Sequence, residues 1–196
     1  FAHGLLVDSL DRRAREHGRW QAHHRRCAKL LERLGPDHLT QTAARRADHY
    51  IEAGELEQAI EPLGEESRRA KQVSDMQRDR EALTRQKRLL DALEIPPDDP
   101  RRIRNALEAT HLKLTVGQSS PKTLLRELRD VRGRAEAAEL ARLAARALRG
   151  IVVCELRRGN AREAIVCSRQ ATEFARAQGD EAPLLRTLLQ RGWLER

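Results

Sequence analysis

Cys154-Glu155-Leu156-Arg157-Arg158-Gly159-Asn160-Ala161-Arg162-Glu163-Ala164-Ile165 holds the end of one helix, a turn and the start of the next. Glycine accepts the left-handed conformation that stops a helix. A small Ala five residues later lets the second helix pack closely on the first. The arrangement recurs in His49-Tyr50-Ile51-Glu52-Ala53-Gly54-Glu55-Leu56-Glu57-Gln58-Ala59-Ile60, where Gly54 is again followed by Ala and Ile at the same distance. Two hairpins with one punctuation predict a chain assembled from helix pairs.

The rest of the sequence agrees. Gly18, Gly35-Pro36, Gly54, Pro96-Pro97 to Pro100, Gly117 to Pro121, Gly133, Gly159 and Gly179 fall at helix-length spacings. Between them apolar residues recur at three and four: Ala82, Leu83, Leu89, Leu90 and Leu93; Ile103, Leu107 and Leu114; Leu124, Leu128 and Val131; Leu140, Ala144, Leu148, Ile151 and Cys154. Ser120-Pro121 and Asp99-Pro100 supply a capping oxygen followed by a proline where its missing N–H costs nothing. Residues 96–100 then form a rigid turn between antiparallel helices. Nine or ten helices in a single domain, residues 1–196, are expected, with a first helix pair over 1–36, helix-pair repeats over 37–180 and the start of another repeat over 181–196.

Composition points the same way. Aromatic residues make up 3% of the 196, while Ala, Leu, Arg and Glu run from end to end. No alternating run of β-branched residues has the length of a strand. The class is all-α. The formal charge of +8 and pI near 10.2 favour an acidic partner. Lysine, however, stands only at 29, 71, 87, 113 and 122, and Asn only at 105 and 160. An Arg-for-Lys, Asn-poor bias follows from GC-rich codon usage, so part of the charge is compositional background. No apolar run spans a bilayer. Cys27, Cys154 and Cys167 are odd in number and widely spaced, which predicts reduced thiols in a cytoplasmic chain rather than a disulfide framework. The opening at Phe1 without a Met is what a piece of a larger protein would show.

Ala44 to Ala59 and Leu148 to Ala171 resemble the tetratricopeptide repeat, through Tyr50, Gly54, Ala59 and Leu63 in the first and Leu148, Ile151, Gly159, Ala164 and Ala171 in the second. Gly54 and Gly159 lie 105 residues apart, near three periods of roughly 34. Glu66 departs from a consensus Ala and Glu155 from a consensus Tyr. The N-terminal third, in Phe1-x-His3-x-Leu5, His24-Arg25-Arg26-Cys27-Ala28-x-Leu30-Leu31-Glu32 and Ala47-x-His49-Tyr50-x-x-Ala53-Gly54-Glu55, resembles the stretch after the AAA- or STAND-type ATPase module of large bacterial signalling proteins. These resemblances imply a tetratricopeptide-like α-solenoid of antiparallel helix pairs, the regulatory region of a protein whose ATPase, serine/threonine kinase or adenylate cyclase domains lie elsewhere.

The resemblance also implies a groove lined by the first helix of each pair. Its positions carry over to Gln41, Arg45, Asp48 and Glu52 in the first repeat and to Arg146, Arg149, Val153 and Arg157 in the second. The second set is cationic and suits a carboxylate.

Catalytic and cofactor signals are absent from the sequence: there is no G-x-x-x-x-G-K-[ST], H-E-x-x-H or G-x-S-x-G. Leu128-Arg129-Asp130 lacks the His, Asn and D-F-G that a kinase loop requires and belongs to a helix face. His23, His24 and Cys27 have zinc-compatible spacing but no second ligand pair. Cys154 and Cys167 are expected to face each other across a hairpin as small hydrophobes. The function expected is therefore non-catalytic binding of a protein or peptide, acidic in character, or of other domains of the same polypeptide, with no cofactor and no membrane. The alternative is a basic solenoid that binds nucleic acid, which the scarcity of stacking aromatics disfavours.

Overall fold

A computed structural model describes residues 2–33 and 42–177. Among them the chain is helical throughout, with no strand: α1 Ala2–Glu16, α2 Trp20–Glu32, α3 Ala43–Glu52, α4 Leu56–Gln72, α5 Met76–Ala92, α6 Pro100–Val116, α7 Pro121–Ala137, α8 Ala141–Arg157 and α9 Ala161–Ala177. The chain divides into two compact units that meet in sequence at Glu94 and Ile95. In the first, α1 to α5 each pack on their sequence neighbour. In the second, α6 to α9 do the same and α8 also reaches α6. Connections of three or four residues make antiparallel hairpins of α1–α2, α3–α4, α4–α5, α6–α7, α7–α8 and α8–α9. No described helix is long and apolar enough to cross a membrane.

The helix starts follow local chemistry. Ser120 Oγ accepts from the Thr123 amide at 3.2 Å and Asp99 Oδ1 from the Arg101 amide at 2.8 Å, each ahead of a first-turn proline. The Arg101 side chain and amide beside Asp99 hold its carboxyl below the usual range.

The helix ends share one device. Gly18, Gly54, Gly117 and Gly159 have positive φ, and so do Ser74, Glu94 and Glu139. Around them the paired bonds of a Schellman turn recur: Gly54 N to Ile51 O with Glu55 N to Tyr50 O, Ser74 N to Lys71 O with Asp75 N to Ala70 O, and Glu139 N to Glu136 O with Leu140 N to Ala135 O. Each of these short hairpin turns is thus closed by a left-handed residue, but only some of those residues are glycine.

Six consecutive helices, α4 to α9, are each 17 residues long. Equivalent helices of successive pairs start 41 residues apart at Pro100 and Ala141, and 40 apart at Pro121 and Ala161. That differs from the expected period of roughly 34. The interval between Gly54 and Gly159 holds five helices, α4 to α8, and not the six of three pairs. Helices of almost five turns lengthen each repeat.

In the second unit Ile103 and Leu107 of α6, Leu124, Leu128 and Val131 of α7, Leu148, Ile151 and Cys154 of α8 and Ala164, Cys167 and Ala171 of α9 form one buried core. In the first, Ala43, Ala47 and Tyr50 of α3 and Ala59, Ile60 and Leu63 of α4 are buried with Ala82, Leu83 and Leu90 of α5. Leu184, Leu185, Leu188 and Leu189, expected to open a further repeat, lie outside the described residues.

Candidate partner-binding groove

On α3, Arg45, Asp48 and Glu52 share one exposed face, while Ala43, Arg46, Ala47 and Tyr50 turn inward. Arg45, Asp48 and His49 form one wall of a cavity of about 480 Å³, and Cys27, Leu30 and Leu31 of α2 form the other. Leu30 is 59% exposed. The result is a groove with an apolar wall facing a charged one. Gln41, the remaining member of the first expected set, lies outside the described residues.

The acids of this face have partners. Asp48 pairs with Arg85 of α5, and Glu52 accepts from Trp20 Nε1 at 2.9 Å. Trp20 also begins a stack: the Arg15 guanidinium lies 4.0 Å from its ring centroid, the His24 ring 4.2 Å away on α2, and His49 of α3 is 5.0 Å from His24. His24 and His49 meet Nδ1 to Nδ1 at 3.0 Å, so one donates and the other accepts. Burial holds both imidazoles below their ordinary pKa; for His49 the neighbouring His24 adds to this. The Tyr50 hydroxyl donates to Glu32 at 2.5 Å, and burial, with that carboxylate beside it, pushes its pKa upward.

The second expected set lies on α8 and is turned largely toward α6. Arg146 Nη2 lies 2.6 Å from Glu108 Oε1, and Arg157 Nη1 donates to the Leu114 carbonyl at 3.1 Å. Arg149 is half-buried, and Val153 packs against the core. Arg146 and Arg157 therefore join α8 to α6.

The two consensus departures have structural reasons. Glu66 is buried and paired with Arg78 of α5 at 2.5 Å. Glu155, 1% exposed, accepts from Arg129 at 2.9 Å, from Arg158 at 3.0 Å and from Asn160 at 2.8 Å. This buried carboxylate anchors three donors, one on α7 and two in the turn between α8 and α9. Above it Lys122, Thr123, Leu125, Arg126, Arg129 and Arg158 line a second cavity, of about 550 Å³. The sequence reading assigned none of these residues to a site. The signal available was Glu155 itself, an acid next to Cys154 on the apolar face of Leu148 and Ile151, with Arg158 and Asn160 following in the turn.

His23 Nε2 and Cys27 Sγ lie 3.7 Å apart, but among the described residues no three His, Cys, Asp or Glu side chains converge as metal ligands. Cys154 and Cys167 are free and buried. Burial raises both thiol pKa values, and for Cys167 the Glu163 carboxylate adds to the effect, so both stay protonated at neutral pH.

A scan against protein-family models finds no match, and a search of curated proteins likewise finds none. All-α architecture is the class that the helices define.

Proposed function

We propose that this chain is a non-catalytic helical-repeat scaffold that binds a protein or peptide segment, and that it serves as the regulatory part of a cytoplasmic multidomain signalling ATPase or kinase. Its turns are similar in chemistry to tetratricopeptide turns, with a longer repeat. The observation that carries the reading is the α2–α3 groove, where exposed Leu30 with Cys27 and Leu31 faces Arg45 and Asp48. Such a groove offers an apolar contact for an anchor side chain and fixed charges to set its orientation.

Nucleic acid is the weaker alternative. Trp20 is already engaged by Arg15 and His24, Tyr50 is buried, and Phe174 packs on the core, so none of these described aromatics is an unengaged stacking surface.

The test is affinity capture from nuclease-treated lysate with Leu30→Asp/Arg45→Glu alongside the parent. Both residues are exposed, so far-UV circular dichroism should not change. A protein held by the parent and lost by the variant is the expected result. Equal retention by both, or recovery of nucleic acid alone from untreated lysate, would overturn the assignment.

A further inference from the structure

We propose that the cavity lined by Lys122, Thr123, Arg126, Arg129 and Arg158 is a binding site for a compact polyanion of the phosphate class, of diphosphate size. The inference does not depend on the α2–α3 groove and concerns the second unit alone.

Four cations line this cavity, and two of them, Arg129 and Arg158, are bonded to the buried carboxylate of Glu155. Glu155 is committed: one carboxylate oxygen takes Arg129 Nη2, and the other takes Arg158 Nη1 and Asn160 Nδ2. Each arginine spends one of its five N–H donors on Glu155 in that contact. The side chains of Arg129 and Arg158 remain 57% and 41% exposed, so the rest of each fork is accessible. A buried acid that holds one N–H of each guanidinium keeps both at the cavity before any ligand arrives, which lowers the ordering cost of binding.

Lys122 and Arg126, one helical turn apart on α7, are exposed and have no hydrogen-bonding or ionic partner among the described residues. Two like charges at that spacing repel one another on the helix. One carboxylate against four cations leaves an excess that a single carboxylate ligand does not neutralise. A di- or polyphosphate does, and its tetrahedral oxygens suit guanidinium forks together with the point charge of Lys122. Lys122 and Thr123 belong to the first turn of α7, so the positive pole of that helix has the same sign as the side chains. A volume of about 550 Å³ fits a small molecule or a single charged group, whereas a nucleic-acid strand needs an extended track.

The experiment is calorimetric titration with inorganic pyrophosphate at constant ionic strength. Three proteins are compared: the parent, Lys122→Gln/Arg126→Gln, and Arg80→Gln/Arg104→Gln. The third removes the same net charge from exposed residues that do not line the cavity. Neither cavity substitution touches Glu155 or its donors, so the fold should survive. Saturable one-site binding is expected in the parent, weakened about tenfold or more in the cavity variant and kept within about twofold in the control. Citrate, with planar carboxylates on a wider frame, is expected to bind about tenfold more weakly than pyrophosphate. Absence of saturable binding, equal losses in both variants, or citrate binding as tight as pyrophosphate would each overturn the proposal.

Discussion

Glu155 of α8 receives a 2.9 Å hydrogen bond from Arg129 of α7 while remaining almost wholly out of water. Its backbone carbonyl also closes the turn after α8, accepting from the Asn160 amide at 2.9 Å. One residue therefore joins the packing of two helices to the turn that starts a third. Glu155→Ala removes the acceptor of three donors and leaves a cavity. Because both arginines keep access to water, the cost falls below that of a fully buried pair, at about 2 kcal/mol. Glu155→Gln keeps one acceptor oxygen and should cost about half of that. Urea titrations of the two variants check the order; equal stability of parent and Ala variant would remove Glu155 from this role.

The left-handed residues at helix ends give a prediction of opposite sign. Ser74 and Glu139 are exposed and sit at φ 58° and 57°. A Cβ in that region is disfavoured by about 1 kcal/mol. Ser74→Gly and Glu139→Gly should therefore each raise stability by about 0.5–1 kcal/mol despite the added freedom of the unfolded chain. Thermal melts would show midpoints moving upward. A drop in either variant would mean that its side chain makes a contact that outweighs the strain.

These same turns explain how far the fold could be read from the sequence. Gly54 and Gly159 announced their helix ends because glycine marks the left-handed position openly. Ser74, Glu94 and Glu139 adopt the same conformation without glycine's signature, held by the backbone bonds and by packing on either side. The intermediate turns are therefore silent in the sequence, and the glycine spacing alone implies a period shorter than the observed offsets of 40 and 41 residues. Helix faces such as Ile103, Leu107 and Leu114 were legible because burial follows the 3.6-residue period directly. An exposed polar face was legible on α3, where Arg45, Asp48 and Glu52 lie together. On α8 the expected groove positions held arginines whose partners, Glu108 and the Leu114 carbonyl, belong to another helix. No local pattern reveals such a pairing. The cationic cavity was hidden for the same reason: its cations come from the first half of α7 and from the turn after α8.

Two helical glycines in the second unit should respond oppositely to the same substitution. A Cβ at Gly150 of α8 would lie 3.0 Å from His111 Nε2 and from both Cδ atoms of Leu128, so α6 and α7 approach α8 closely there. Gly150→Ala should cost about 1–3 kcal/mol through overpacking. A Cβ at Gly133 of α7 would meet nothing within 4 Å. Gly133→Ala should stabilise by about 0.8–1 kcal/mol through helix propensity alone. Denaturant midpoints measure both effects, and a shift of the same sign in the two variants would contradict the close approach at Gly150.

The imidazoles of His24 and His49 predict how the first unit responds to acid. Their 3.0 Å Nδ1–Nδ1 bond needs one unprotonated Nδ1, and it fails when both rings become imidazolium. Burial depresses both pKa values from 6.5, with His24 adding to the effect at His49 and His23 and nearby arginines contributing in the same direction; Glu52 and Asp11 oppose the shift at His24, and Asp48 opposes it at His49. A histidine with a depressed folded pKa binds fewer protons in the native state than in the unfolded one, so stability rises with pH across the interval between the two values. The stabilising contribution is therefore complete above about pH 6.5. It declines as pH falls below that value toward the depressed folded pKa values. The parent chain should lose thermal stability between pH 7.5 and pH 5.5. In His24→Gln/His49→Gln, where an amide pair replaces the ring contact without titrating, that loss should be clearly smaller. An identical loss in parent and double variant would show that the His24–His49 contact does not govern the acid response.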